Sequence, residues 1–138
     1  MYFVYRPDAS SEWQKWLFEP EKLLSPEAEV IERKTGLDYN DFVKKVQGNM
    51  RCRRALLWVL LKREHHQLKF DDVQISLEQT DFRFTRAEYA EMREKAHEQF
   101  SGAELDEFLE ALDAEAEEKA VDDETEGEAG KAPAPTGD

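Results

Sequence analysis

The sequence predicts a mainly α-helical fold: a small helical domain with a short N-terminal β-hairpin or small sheet and a disordered acidic C-terminal tail. Three observations carry this. Residues 55–61, Ala-Leu-Leu-Trp-Val-Leu-Leu, are seven apolar residues in a row, with charged residues on both sides and no Gly or Pro. Only Val59 is β-branched, so the run reads as a helix apolar on most of its circumference rather than as a buried strand. Several other stretches repeat apolar residues at helical spacing, and near residue 120 the composition shifts to acidic residues, Gly, Ala and Pro. The organisation expected is a compact core over 1–84, an amphipathic helical extension over 85–119 and a disordered acidic tail over 120–138.

Taken in order, Tyr2-Phe-Val-Tyr5 is β-branched and aromatic, and Pro7-Asp8 ends it. Residues 13–18, Trp-Gln-Lys-Trp-Leu-Phe, form a second aromatic segment beyond a polar link. The pair reads as a hairpin, although Trp13, Trp16 and Leu17 also fall at helical spacing. The next helix runs from Ser25 towards Gly36. Ser25 is placed to cap it, Pro26 suits its first turn, and Gly36 suits a left-handed close. Glu27 and Glu29 sit at the positive end of its dipole, Arg33 and Lys34 at the negative end. Ala28, Ile31 and Thr35 share one face, with Leu24 nearby. Asp38 begins another helix, with Tyr39, Phe42, Val43 and Val46 as its apolar stripe. The central helix is expected over about 50–65.

After it, residues 68–73 read as a loop with two apolar anchors. Val73, Ile75 and Leu77 then alternate with polar residues, as do Phe82 and Phe84, which predicts extended segments able to join the hairpin. Two capping boxes follow, Thr85-Arg-Ala-Glu88 and Ser101-Gly-Ala-Glu104. The first helix carries Tyr89, Met92, Ala96 and Phe100 on one side. The second carries Leu105, Phe108, Leu109, Leu112 and Ala116. Beyond 120, low hydrophobicity and like charge leave nothing to offset the entropy of ordering.

The formal net charge is −13. Ten acidic and two basic residues lie in 113–138, so that segment carries −8 and the rest of the chain −5. A broad phosphate-binding face is not expected from such a balance, so no nucleic-acid partner is read. A lone Cys52 excludes an internal disulfide and fits a reducing compartment. The N-terminus lacks the basic start and apolar core of a signal peptide, and no run is long enough to span a bilayer. The reading is a soluble cytoplasmic protein without a membrane partner.

No catalytic, cofactor or metal set is read from the sequence. Adjacent His65 and His66 point about 100° apart on a helix and cannot easily share one ion. Asp71-Asp72 reads as a turn or cap. Cys52 lies between Arg51 and Arg53, which would lower its pKa if it were exposed, but it reads as a core cysteine. Arg51, Arg53 and Arg54 form the densest basic cluster. RNA contact is one reading; pairing with carboxylates of this chain or of a partner is the favoured one. The stripe Leu105, Phe108, Leu109 and Leu112 is read as core or as docking surface. These seven residues are the candidate partner-binding set.

The middle of the chain carries a recognisable order. It runs Phe18-Glu-Pro-Glu-Lys-Leu23, then Ser25-Pro-Glu-Ala-Glu-Val-Ile-Glu-Arg-Lys-Thr-Gly-Leu37, then Tyr39-Asn-Asp-Phe42. The helix Ala55-Leu-Leu-Trp-Val-Leu-Leu-Lys-Arg63 follows, and then Leu68-Lys-Phe-Asp-Asp-Val73. Over residues 13–77 this resembles the tail assembly chaperones of long-tailed phages, particularly those of actinobacteria. The resemblance implies a viral protein without enzymatic activity. Such a protein coats the tape-measure protein, keeps it soluble in the host cytoplasm until tail-tube subunits polymerise around it, and is absent from the mature virion. It also implies a longer frameshifted form of the chain as a partner, and it leaves room for self-association. The competing reading is an acidic adaptor, or a mimic of nucleic-acid charge, that binds a basic protein.

Overall fold

The computed structural model describes residues 1–122, and among these residues it holds five α-helices and a three-stranded antiparallel sheet. The mainly helical fold with a small N-terminal sheet is as expected. The strands are β1 (Tyr2–Tyr5), β2 (Gln14–Leu17) and β3 (Thr80–Arg83), in the order β2-β1-β3. The second aromatic segment is therefore a strand, with Phe3 opposite both Trp16 and Phe82. Side chains alternate across the sheet. Phe3, Trp16 and Phe82 face the helical core, and Tyr2 and Val4 face the other way, against Trp13, Leu17 and Val121. Asp8 ties the β1–β2 turn by accepting from the Ser10 amide and from the Ser10 and Ser11 hydroxyls, which holds its carboxyl below the usual range.

Helix α1 (Ser25–Thr35) closes on Gly36, at φ 74°, whose amide donates to the Glu32 carbonyl. Its start differs from expectation. Leu24 takes the cap position, Ser25 makes no capping bond, and Leu24 is 73% exposed instead of joining the Ile31 face. Helix α2 (Tyr39–Lys45) also lacks its own cap. Asp38 makes no capping bond; the Tyr39 amide instead donates to the Glu32 carboxylate, 2.9 Å away on α1. A free amide at a helix start needs an acceptor, and here a neighbouring helix supplies it.

Helix α3 (Met50–Lys62) is the centre of the molecule. Asn49 caps it by accepting from the Cys52 amide at 3.0 Å. Every residue from 55 to 60 is buried, and they pack with Phe18, Ile31, Phe42, Val46, Phe70 and Val73 in one core. The helix stops at Lys62, so His65 and His66 lie beyond it, exposed.

Residues 73–77 form no strand, contrary to the alternation there. Short 3₁₀ turns cover Phe70–Asp72 and Leu77–Gln79. Arg54 takes the Phe70 and Val73 carbonyls, and the Gln79 side chain takes the Ser76 amide. Side chains thus satisfy backbone groups that a ladder would otherwise pair. Val73 is an anchor in the core, and Leu77 is 64% exposed.

Helices α4 (Arg86–Gln99) and α5 (Gly102–Lys119) make a hairpin. The first capping box forms in both directions between Thr85 and Glu88, at 2.8 and 3.1 Å. The second does not form. Gly102, at φ 63°, turns the chain sharply into α5, and Ser101 makes no side-chain capping bond. The chain stays ordered past 120: Val121 bridges Thr85, its amide donating to the Phe84 carbonyl at 3.0 Å. The tail expected to be disordered lies, from 123 on, outside the described residues.

Candidate partner-binding surface

The three arginines of the basic cluster point in different directions. Arg53 is only 8% exposed. Its guanidinium donates to the Gln47 carbonyl and to the Thr80 carbonyl (3.1 Å) and hydroxyl (3.2 Å), and lies over the Phe82 ring. Burial pushes its pKa down, against the pull of Asp81. Arg54 braces the loop after α3 through the Val73 carbonyl (2.6 Å) and covers the Phe70 ring, with Asp71 3.8 Å away. Arg51 is exposed and donates to the Lys34 carbonyl at the end of α1. The acceptors are therefore mainly backbone carbonyls of this chain. Sequence shows that guanidinium groups need acceptors, but not that a tertiary neighbour will bring carbonyls.

Cys52 is fully buried, and burial raises its thiol pKa. The flanking arginines do not activate it, because their side chains leave for other elements. Asp72 accepts from the Lys69 amide at 3.1 Å, in the turn role expected of it. Among the described residues, no three His, Cys, Asp or Glu side chains converge as a metal site, and no helix is long and apolar enough to cross a membrane.

Two surfaces could receive a ligand or partner. One is an open slot of about 290 Å³ between α1 and the end of α3. Pro26, Val30, Trp58 and Val59 supply its apolar lining, with Lys62, Arg63 and His66 beside them. Arg63 is held there by a two-bond pair with Glu27, which raises its pKa. Trp58 is itself engaged: its indole N–H donates to the Leu68 carbonyl and its ring meets Phe70 edge-on.

The other surface is the α4–α5 hairpin. Its base is fixed to the sheet side of the molecule. Phe84 meets Tyr89 edge-on, and Lys119 lies 3.8 Å from Asp81. The Met1 ammonium donates to Glu88 at 2.7 Å. Tyr89 is buried and donates to Glu115; burial first, then that carboxylate, raises its pKa. Arg93 pairs with Asp113 across the hairpin. Yet α5, 18 residues long, has no buried residue at all. Leu105, Leu109, Leu112 and Ala116 are half-buried against α4, and Phe108 remains 38% exposed beside Phe100. The basic and apolar halves of the predicted set thus part company: Arg53 and Arg54 hold the core together, and the leucine stripe lies at the surface.

Comparison with protein-family models, with curated proteins and with solved structures gives no match to this chain. The residues that carry the resemblance described above are core residues here: Phe18, Ile31, Phe42, Trp58, Phe70 and Val73 all belong to the main cluster. Tyr39 joins them by donating to the Pro20 carbonyl at 2.7 Å. That pattern records mainly how the domain packs.

Proposed function

We propose that this chain is a tail assembly chaperone of a long-tailed phage, which binds the tape-measure protein in the host cytoplasm and keeps it soluble until the tail tube forms around it. One observation carries the reading beyond the sequence resemblance: α5 is a five-turn helix with a continuous apolar stripe and no buried residue. A helix of 18 residues with so little tertiary cover is marginal alone, and a partner that packs on the stripe stabilises it. The tape-measure protein, a long helical polypeptide, offers matching apolar faces. The tail-tube protein and a longer frameshifted form of this chain are further partners on this reading.

Co-expression with the tape-measure protein tests it. The proposal expects that protein to move from the insoluble to the soluble fraction and to co-elute with this chain. Unchanged solubility with no complex contradicts it. The excess of acidic residues favours a second reading, an acidic adaptor held to a basic protein by charge alone. Salt separates the two. Charge-only binding collapses as the Debye length shrinks to about 3 Å at 1 M, whereas apolar docking persists.

A further inference from the structure

We infer that the seam of the α4–α5 hairpin docks an amphipathic helix of net positive charge. The inference deepens the chaperone reading by naming the chemistry of the partner segment, and it rests on that reading only for which polypeptide supplies the segment. Leu105, Leu109, Leu112 and Ala116 repeat at i, i+4, i+7 and i+11, all partly open, with Phe108 beside them. By helical spacing Asp106, Asp113 and Glu117 edge this stripe on one side, and Glu104 and Glu115 on the other. The helix carries eight carboxylates against the single ammonium of Lys119, a net charge of −7. Some of these are engaged within the chain: Asp113 with Arg93, Glu115 with Tyr89. Among the described residues Glu104, Asp106, Glu107, Glu110, Glu117 and Glu118 have no cationic partner.

That charge decides the occupant. A second copy would bring the same −7 helix to the same seam, and like charges set along a contact oppose docking. A partner helix with lysine or arginine flanking its apolar stripe gains both apolar burial and charge complementarity. At about 1.5 Å per residue the 18 residues of α5 give a seam of roughly 27 Å, the length of a partner segment of similar size.

Three labelled peptides of 18 residues, titrated with the full chain and read by fluorescence anisotropy, test this. The first has a leucine stripe flanked by lysines. The second keeps the stripe with glutamates. The third has the first peptide's composition in scrambled order. The first is expected to bind at least tenfold more tightly than either of the others. Charge reversal with Glu104→Lys and Asp106→Lys, one on each edge of the stripe and in side chains with no bond to the rest of the described fold, should weaken it about tenfold. Phe108→Glu should do the same, with circular dichroism unchanged for both variants. Equal binding of the acidic-stripe or scrambled peptide overturns the inference, as does full affinity in the charge-reversed chain. Should the basic stripe peptide bind as expected while the tape-measure protein is not held soluble, the chaperone reading falls and this surface stands. In the reverse case this inference falls alone.

Discussion

Replacement of Arg53 by methionine is the sharpest test of how the core is held. The methionine keeps an unbranched apolar side chain and removes every donor, together with the guanidinium that lies over Phe82. Two carbonyls, Gln47 and Thr80, and the Thr80 hydroxyl then lose their partner. Leaving a buried acceptor unsatisfied costs about 1–3 kcal/mol, and hydrogen bonds from a charged group are at the upper end. Against this, removing a guanidinium that is 8% exposed recovers part of its desolvation cost. The balance is a loss of about 3 kcal/mol, a large share of the ~5–15 kcal/mol by which domains are stable. In urea, with a slope of about 1–3 kcal/mol per molar, the midpoint falls by roughly 1–3 M. Tryptophan fluorescence follows the transition, since Trp16 and Trp58 are buried. Arg53→Lys should fall between the two, because one ammonium cannot reach Gln47 and Thr80 together. A loss below ~0.5 kcal/mol, the range of ordinary surface substitutions, refutes the reasoning. It would mean that β3 is not tied to α3 through this side chain.

Other outcomes follow from the same structure. Thr85→Ala should cost about 1 kcal/mol through the lost cap, whereas Ser101→Ala, which removes no capping bond, should be nearly neutral in the same urea assay. Cys52 should resist a thiol reagent at pH 8 in the native protein and react only on unfolding; rapid native labelling contradicts its burial. Tyr39, Cys52 and Tyr89 all have folded pKa values raised by burial. Their contribution is complete below the unfolded values, about 8.5 for the thiol and 10 for the phenols, and is lost as pH rises through the folded ones. The melting temperature should therefore decline above about pH 9, and Tyr89→Phe should lessen the decline. A flat profile to pH 11 contradicts this.

Local signals in the sequence were reliable where the chain satisfies itself. The Thr85–Glu88 box and the Gly36 close depend on neighbours a few residues away, and each can be read from spacing. The Tyr2–Tyr5 strand is legible from its composition, although one of its two partners, β3, lies far along the chain. The departures share a cause. Ser25 and Asp38 have capping chemistry, but the α2 amide is satisfied by Glu32 from another helix. Residues 73–77 alternate like a strand, but Arg54 and Gln79 occupy their turn backbone. Arg51, Arg53 and Arg54 are three neighbours in sequence; their separation by helical rotation sends them to α1, β3 and the 70–73 loop. Glu32 for α2, the Phe70 and Val73 carbonyls for Arg54, Lys34 for Arg51 and Thr80 for Arg53 all come from other elements, and the fold brings them there; the Ser76–Gln79 contact alone is local. For the candidate surface, the leucine stripe was visible as spacing, and its half-open state depended on how little of the molecule packs on α5.

The most direct test of the account is amide hydrogen exchange of this chain with and without the co-purified partner polypeptide. Docking on the hairpin seam predicts slowed exchange in 102–119, with α1 and α3 unchanged. Slowing confined to the slot around Trp58, or no slowing anywhere in a complex that has formed, contradicts it.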